Sequence, residues 1–269
     1  MHGMRCGALL VTIMAAGALA SLPSPALAAG GGAACAAAAA PVAHVELSAE
    51  TRQAVAAYKA AHDTARLPAT RSAGARRVAR TGALACAAAA ANRVVLANLN
   101  QQGQITNYYC GPATVAEMAT TRGTPVDQRT SAGWMGTDPN SGTSVDQLVR
   151  GLNHFVGDPG GGSYGFASLA YDPTSDQRAG FVSNVRSDLT TYGGWPVAGD
   201  AWEVPGGPHL VGHPDVEIFH WIEIGGLGDG DSATYYADSA TTVWSGVPAY
   251  SWIDTQTLVT ILGGRGYAW

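Results

Sequence analysis

Apolar and polar positions alternate differently in three stretches of the chain. From Ala8 to Leu22 the residues are small and mostly apolar, with no period. Residues 29–40 are Gly and Ala around a single Cys, a composition that cannot build a core. A helical pattern follows: Ser48 is placed to cap a helix over Ala49–His62, with Val55, Tyr58 and His62 along one side. Globular patterning begins at Val94, where Val94-Val95-Leu96 reads as a strand. Gly111 to Arg122 reads as a helix stopped by Gly123. Ser144-Val-Asp-Gln147 is a capping box ahead of Val145, Leu148, Val149, Leu152 and Phe155 at helical spacing. Thr174-Ser-Asp-Gln177 repeats the device before Phe181, Val185 and Leu189. After Gly193-Gly194 the period shortens. Pro196–Ala201, Val216–Ile224 and Ala233–Asp238 read as strands, the last two joined by a glycine-rich turn, Gly225–Asp231. A short helix closes the chain over Asp254–Leu262. Helices first and antiparallel strands afterwards predict an α+β fold.

Charge divides the chain at the same place. Charged residues are only 13% of 269, against 46% hydrophobic, which excludes a charge-driven disordered chain and a highly basic nucleic-acid binder. Residues 1–97 carry nine basic and three acidic side chains; residues 98–269 carry six and seventeen. Of 21 aromatic residues only Tyr58 precedes residue 98. The start explains part of the division. Arg5, the apolar run and Ala26-Leu-Ala28 have the layout of a secretory signal peptide, and the run is short of the roughly 20 residues that cross a bilayer. The expected organisation is a signal peptide at 1–28, an Ala-rich basic pro-like or linker segment at 29–92, and a catalytic domain at 93–269. The expected product is secreted, extracellular and free of the membrane once the signal is removed. A segment 29–97 at +5 against a domain at −11 suits an intramolecular pro-segment docked on the cleft.

Export changes the cysteine count. Cys6 leaves with the signal, so Cys35, Cys86 and Cys110 remain, an odd number for an oxidising compartment. Cys35 and Cys86 sit in similar Ala-rich contexts, and their pairing leaves Cys110 free.

Cys110 opens the helix predicted after Gln104-Ile-Thr-Asn-Tyr-Tyr-Cys110-Gly-Pro-Ala113. A helix N-terminus has unpaired N–H groups and partial positive charge, which favour a thiolate over a thiol. Gly111 and Ala113 leave room for a substrate backbone. A thiolate nucleophile needs a proton donor for its leaving group, and that donor needs an orienting partner. His220 lies mid-strand and Asp238 ends the next strand, so a hairpin makes them neighbours. The Gln104 side-chain amide and the Cys110 N–H are candidate donors to an oxyanion.

Gln104, Cys110, His220 and Asp238, in that order, resemble the papain-like bacteriocin-processing (double-glycine leader) peptidases, peptidase family C-39. The resemblance lies in Gln-x5-Cys-Gly-Pro-Ala, in Phe-His-Trp-Ile-Glu-Ile-Gly-Gly and in Tyr-Ala-Asp, and covers roughly residues 93–269. It implies a papain-like fold with Cys110 as nucleophile, His220 as general acid/base, Asp238 as its orienter and Gln104 as oxyanion donor. It also implies a peptide or protein substrate and no metal or organic cofactor. Many relatives have Pro after the Asp, where this chain has Ser239. No transporter accompanies the peptidase region, so a free-standing secreted member is the better comparison than one that processes a leader during export. Two alternatives stay open: a secreted papain-like acyltransferase or cell-wall amidase, and an inactive peptide-binding domain.

Other patterns compete for attention. His209-x3-His213, with Glu217 and His220 downstream, has the spacing of a metal site. Pro208, Gly212 and Pro214 argue against a helix there, so a loop bordering the active site is expected. Gly161-Gly-Ser163-Tyr-Gly165 matches a nucleophile elbow but follows Asp158-Pro-Gly-Gly rather than a strand, and reads as a loop. The tryptophans read as core, with Trp202 and Trp221 as candidate cleft walls.

Overall fold

The computed structural model describes residues 47–63, 93–157 and 162–269. The expected signal peptide, the expected Cys35–Cys86 pairing and the basic stretch Arg71–Arg80 lie outside the described residues. Six α-helices are found among the described residues: α1 (Ala49–His62), α2 (Cys110–Thr121), α3 (Gln128–Met135), α4 (Val145–Gly151), α5 (Ser175–Arg186) and α6 (Thr255–Leu262). Their starts are chemically specified. Ser48 Oγ accepts from the Thr51 N–H, and both predicted capping boxes form, at Ser144/Gln147 and Thr174/Gln177. α3 escapes the hydrophobic pattern, yet its signal is present in Asp127, whose carboxylate accepts from the Arg129 and Thr130 N–H groups.

Seven strands form one antiparallel sheet: β1 (Val94–Val95), β2 (Phe166–Ser168), β3 (Val197–Glu203), β4 (Ile218–Gly228), β5 (Ala233–Ala237), β6 (Tyr250–Asp254) and β7 (Gly266–Ala268). Their order is β2-β7-β3-β4-β5-β6, with β1 paired to the far end of β4. Alternation along the central strands feeds two cores. Val197, Ala201, Ile222 and Ile224 pack with Phe181 and Val185 of α5 and with Leu258, Val259 and Leu262 of α6. Ala198 and Trp221 pack with Val115, Met118 and Ala119 of α2 and with Leu148 and Leu152. The expected α+β fold is borne out: helix α2, with the cysteine at its first residue, lies buried against an antiparallel sheet.

The glycine-rich turn is corrected. β4 runs on through Gly228, with a break in register between Ile224 and Gly226. A Cβ on Gly225 would stand 2.3 Å from Leu99 Cδ1, so this glycine admits a close neighbour rather than turning the chain. The turn itself is Asp229–Asp231, with positive φ at all three residues.

α1 belongs to the segment that charge and composition set apart, and it packs on the region that follows residue 93. Val55 meets Trp202 and Val204. Lys59 is fully buried, and its Nζ donates to the carbonyls of Thr260, Ile261 and Gly263 at 2.9, 3.0 and 2.8 Å. These carbonyls lie at the end of α6, where helical acceptors lack partners. Among the described residues, no helix is long and apolar enough to cross a membrane.

Candidate active site

The site is built where α2 begins. No side chain caps the helix at Tyr109, so the N–H groups of Cys110 and Gly111 have no helical or capping acceptor. Pro112 costs nothing in this first turn, where its missing N–H would have had no partner. Gly111 is required by close approach: a Cβ there would stand 2.5 Å from Thr143 Oγ1. Thr143 in turn accepts from Trp221 Nε1 through its carbonyl at 3.0 Å, which ties the helix start to β4. Replacing Gly111 with Ala is therefore expected to cost about 2 kcal/mol by overpacking and to slow alkylation of Cys110. Urea unfolding and thiol-labelling rates on the same sample check both effects.

His220 is bonded on both sides. It hydrogen-bonds Cys110 on one side, and its Nε2 lies 2.9 Å from Asp238 Oδ1 on the other. Burial works to lower the His220 pKa, but the Asp238 carboxylate and the cysteine outweigh it and hold the imidazolium well above its ordinary range. Burial opposes the charge on Asp238 as well. His220 and His213 overcome that and keep its carboxyl below the usual carboxylate range. The Ala240 N–H also donates to Asp238 Oδ1, at 2.8 Å. The hairpin expected from the sequence brings His220 and Asp238 together, and α2 delivers Cys110 to them.

A cavity of about 250 Å³ opens beside these residues. Cys110, His220 and Trp221 line it together with Asn107, Thr143 and Phe219. Asp200 and Arg265 also face it, joined through Arg265 Nε and Asp200 Oδ2 at 3.1 Å. Burial pushes the Asp200 carboxyl up to about 6, against the pull of Arg265. Trp202 is no cleft wall. It is buried, stacks beneath Phe219 and lies 5.7 Å from the Lys59 ammonium.

Gln104 is close in sequence but is not among the residues lining the cavity. It is buried; its side-chain N–H donates to the Thr106 carbonyl at 2.7 Å and its Oε1 accepts from Ser239 Oγ at 3.2 Å. This bond ties the segment before Cys110 to the residue after Asp238.

Sequence reasoning missed the second imidazole that bonds Asp238, as it did the cavity residues Asn107, Thr143, Asp200, Phe219 and Arg265. His213, on the loop between β3 and β4, places its Nε2 3.0 Å from Asp238 Oδ2 and its Nδ1 2.7 Å from Glu203 Oε1. The His209-x3-His213 spacing drew attention to it, and the structure makes the loop a neighbour of the site, as expected. His213, His220 and Asp238 offer donor atoms within 4.8 Å of one another. The same atoms hydrogen-bond one another.

No protein-family model matches the chain, and no curated protein matches it. Solved structures similar to it include the peptidase domain of Streptococcus ComA, described as a bifunctional ABC transporter of a quorum-sensing pathway. That match has 15% identity and a TM-score of 0.40, over 63% of this chain and 95% of that one. A C39-like peptidase from Bacillus anthracis matches at 11% identity and a TM-score of 0.42, over 66% of this chain and 96% of that one.

Proposed function

We propose that this protein is an exported papain-like cysteine peptidase that hydrolyses amide bonds of peptide substrates. The reading rests on one observation: Cys110, at an uncapped helix start, touches an imidazole held charged by a buried carboxylate, and all three meet beside an open cavity. Cys110 Sγ attacks the carbonyl carbon and forms a C–S bond. The developing oxyanion is held by the Cys110 N–H, and the Gln104 amide, one N–H of which is bonded to the Thr106 carbonyl, offers its other N–H as the second donor. His220 gives its proton to the leaving amine as the C–N bond breaks. Water, losing a proton to His220, then attacks the thioester, the C–S bond breaks and the acid is released. Asp238 keeps the imidazole oriented throughout. None of these steps calls for a metal or an organic cofactor.

In this proposal residues 1–28 direct export and residues 29–92 form a pro-like segment. Its described part, α1, contributes no residue to the cavity wall. Profiling cleavage of a mixed peptide library by the wild type and by Cys110→Ala tests the activity. The reading requires thiol-sensitive cleavage that Cys110→Ala abolishes; transfer of the acyl group to an added amine would reassign it to an acyltransferase. The oxyanion assignment has its own test. Gln104→Ala is expected to lower kcat about a hundredfold with little change in KM. If Asn107→Ala has that effect and Gln104→Ala does not, the donor is Asn107.

A further inference from the structure

The contact between His213 and Asp238 is the first link of a longer chain. Histidines and carboxylates alternate without a gap: His220, Asp238, His213, Glu203, His209, Asp215. After the two bonds to Asp238, His213 Nδ1 meets Glu203 Oε1 at 2.7 Å, and Glu203 Oε2 meets His209 Nδ1 at 2.8 Å. His209 Nε2 then meets Asp215 Oδ1 at 3.0 Å. The His213 and Glu203 side chains have no exposure at all, whereas Asp215 is 68% exposed. The chain therefore runs from the nucleophile to the surface.

Carboxylate oxygens only accept, so an imidazole between two of them satisfies both by carrying a proton on each nitrogen. His213 is in that position, and it is the charged neighbour that the three-residue site does not account for. We propose that His213 is a positioning residue of the catalytic site: clamped between Glu203 and Asp238, it aims the Asp238 carboxylate at His220 and sets a buried positive charge behind it. The proposal rests on the reading of Cys110 and His220 as a catalytic pair.

The surroundings agree with a cationic His213. Burial works against its charge, but its bonds to Asp238 and Glu203 raise its pKa overall. Glu203 faces it from β3, His220 from β4 with ring centres 5.4 Å apart, and Asp238 from the end of β5. Tyr236 of β5, whose hydroxyl accepts from the Val211 N–H, lies within the field of Asp238 and Glu203. Lys59 of α1 lies within the field of Glu203. His209 and Asp215 come from its own loop, and Trp244 packs its ring 4.9 Å away without charge. A positive charge 5.4 Å from the His220 ring makes the His220 proton easier to release than Asp238 alone would allow. His213 thereby tempers the general acid as well as aiming its partner.

Two measurements on the full chain test this without a known substrate. Nitrogen-15 imidazole NMR of the wild type is expected to show both His213 ring nitrogens still protonated above the ordinary histidine value of about 6.5. The pH dependence of Cys110 alkylation by iodoacetamide reads the catalytic pair, with an upper step where His220 loses its proton. In His213→Gln, whose amide still donates to Asp238 but has no charge, that step is expected to rise by about one pH unit. Glu203→Gln keeps His213 but removes the carboxylate holding its second proton, so the step moves the same way. A merely structural role would lower the yield of folded protein and leave the step where it was. A wild type with two steps that neither variant moves, or a His213 that titrates with a single ring proton at neutral pH, overturns the proposal. A wild type with one step near pH 8.5, like a free thiol, instead overturns the catalytic reading of Cys110.

Discussion

Asp238→Asn is expected to lower kcat/KM by about a thousandfold or more while the protein stays folded. Asp238 receives hydrogen bonds from two imidazoles, one on each oxygen, and from the Ala240 N–H. An asparagine has one accepting oxygen and one donating nitrogen. Whichever way it turns, its NH₂ meets the N–H of His220 or of His213, donor against donor. Both imidazoles also lose the negative charge that keeps them protonated, so the pH above which hydrolysis fails through loss of the His220 proton moves down. The same substitution has a stability signature with a defined window. Asp238 has a depressed pKa in the folded protein, so its contribution is present above the unfolded carboxylate value, about pH 4, and is lost in stronger acid. His220 and His213 have raised values, so theirs is complete below about pH 6.5 and is lost as pH rises through the folded values. Wild type and Asp238→Asn should therefore differ most in thermal stability between about pH 4 and 6.5. Activity profiles and thermal melts across pH 3–9 measure both; an unmoved alkaline limb and a constant stability gap would remove Asp238 from the site.

The difference between what the sequence shows and what it hides follows sequence distance. The position of Cys110 at a helix start is legible because the thiol and the small residues of the first turn are all within four positions, Cys-Gly-Pro-Ala. The meeting of His220 with Asp238 needed only one inference, that two β-patterned runs separated by a turn pair with each other. The placement of that turn failed because glycine has two uses: Gly225 is read equally well as a turn residue or as space for Leu99, and only the packed structure decides. β2 and β7 were invisible for another reason. Each has three residues, too few for a period, and they exist because β2 pairs with β7 and β7 in turn with the longer β3. His213 illustrates the limit most sharply. It is 25 residues from Asp238 and ten from Glu203, on a loop broken by prolines, so no local pattern encodes the chain it completes.

Lys59→Met is expected to lower the unfolding free energy by about 3 kcal/mol and to free α1 from the end of α6. Methionine preserves most of the buried stem beside Trp202 but removes the donor shared by the carbonyls of Thr260, Ile261 and Gly263. Those carbonyls then lie buried with no ammonium, and the cost of leaving them unpaired exceeds the gain from burying a thioether. Charge modulates the wild-type contact. Burial pushes the Lys59 pKa down to about 7, opposed by Glu203 and Asp200, so the unfolded chain holds this proton more tightly than the folded one. Stability conferred at this position consequently rises as pH increases from about 7 toward the unfolded value near 10.5, and the methionine variant lacks that slope. Limited proteolysis reads the attachment directly: the variant should be cut between α1 and β1 and release the helix, while wild type retains it. Because α1 leaves the cavity wall untouched, alkylation of Cys110 should keep its pH profile in the variant even where stability falls. A segment that charge and composition mark as separate is thus expected to act as a clasp on the end of α6, fastened by the single lysine of its helix. Equal stability of the two proteins at pH 9, with α1 still resistant to cleavage in the variant, would show that the clasp holds without Lys59.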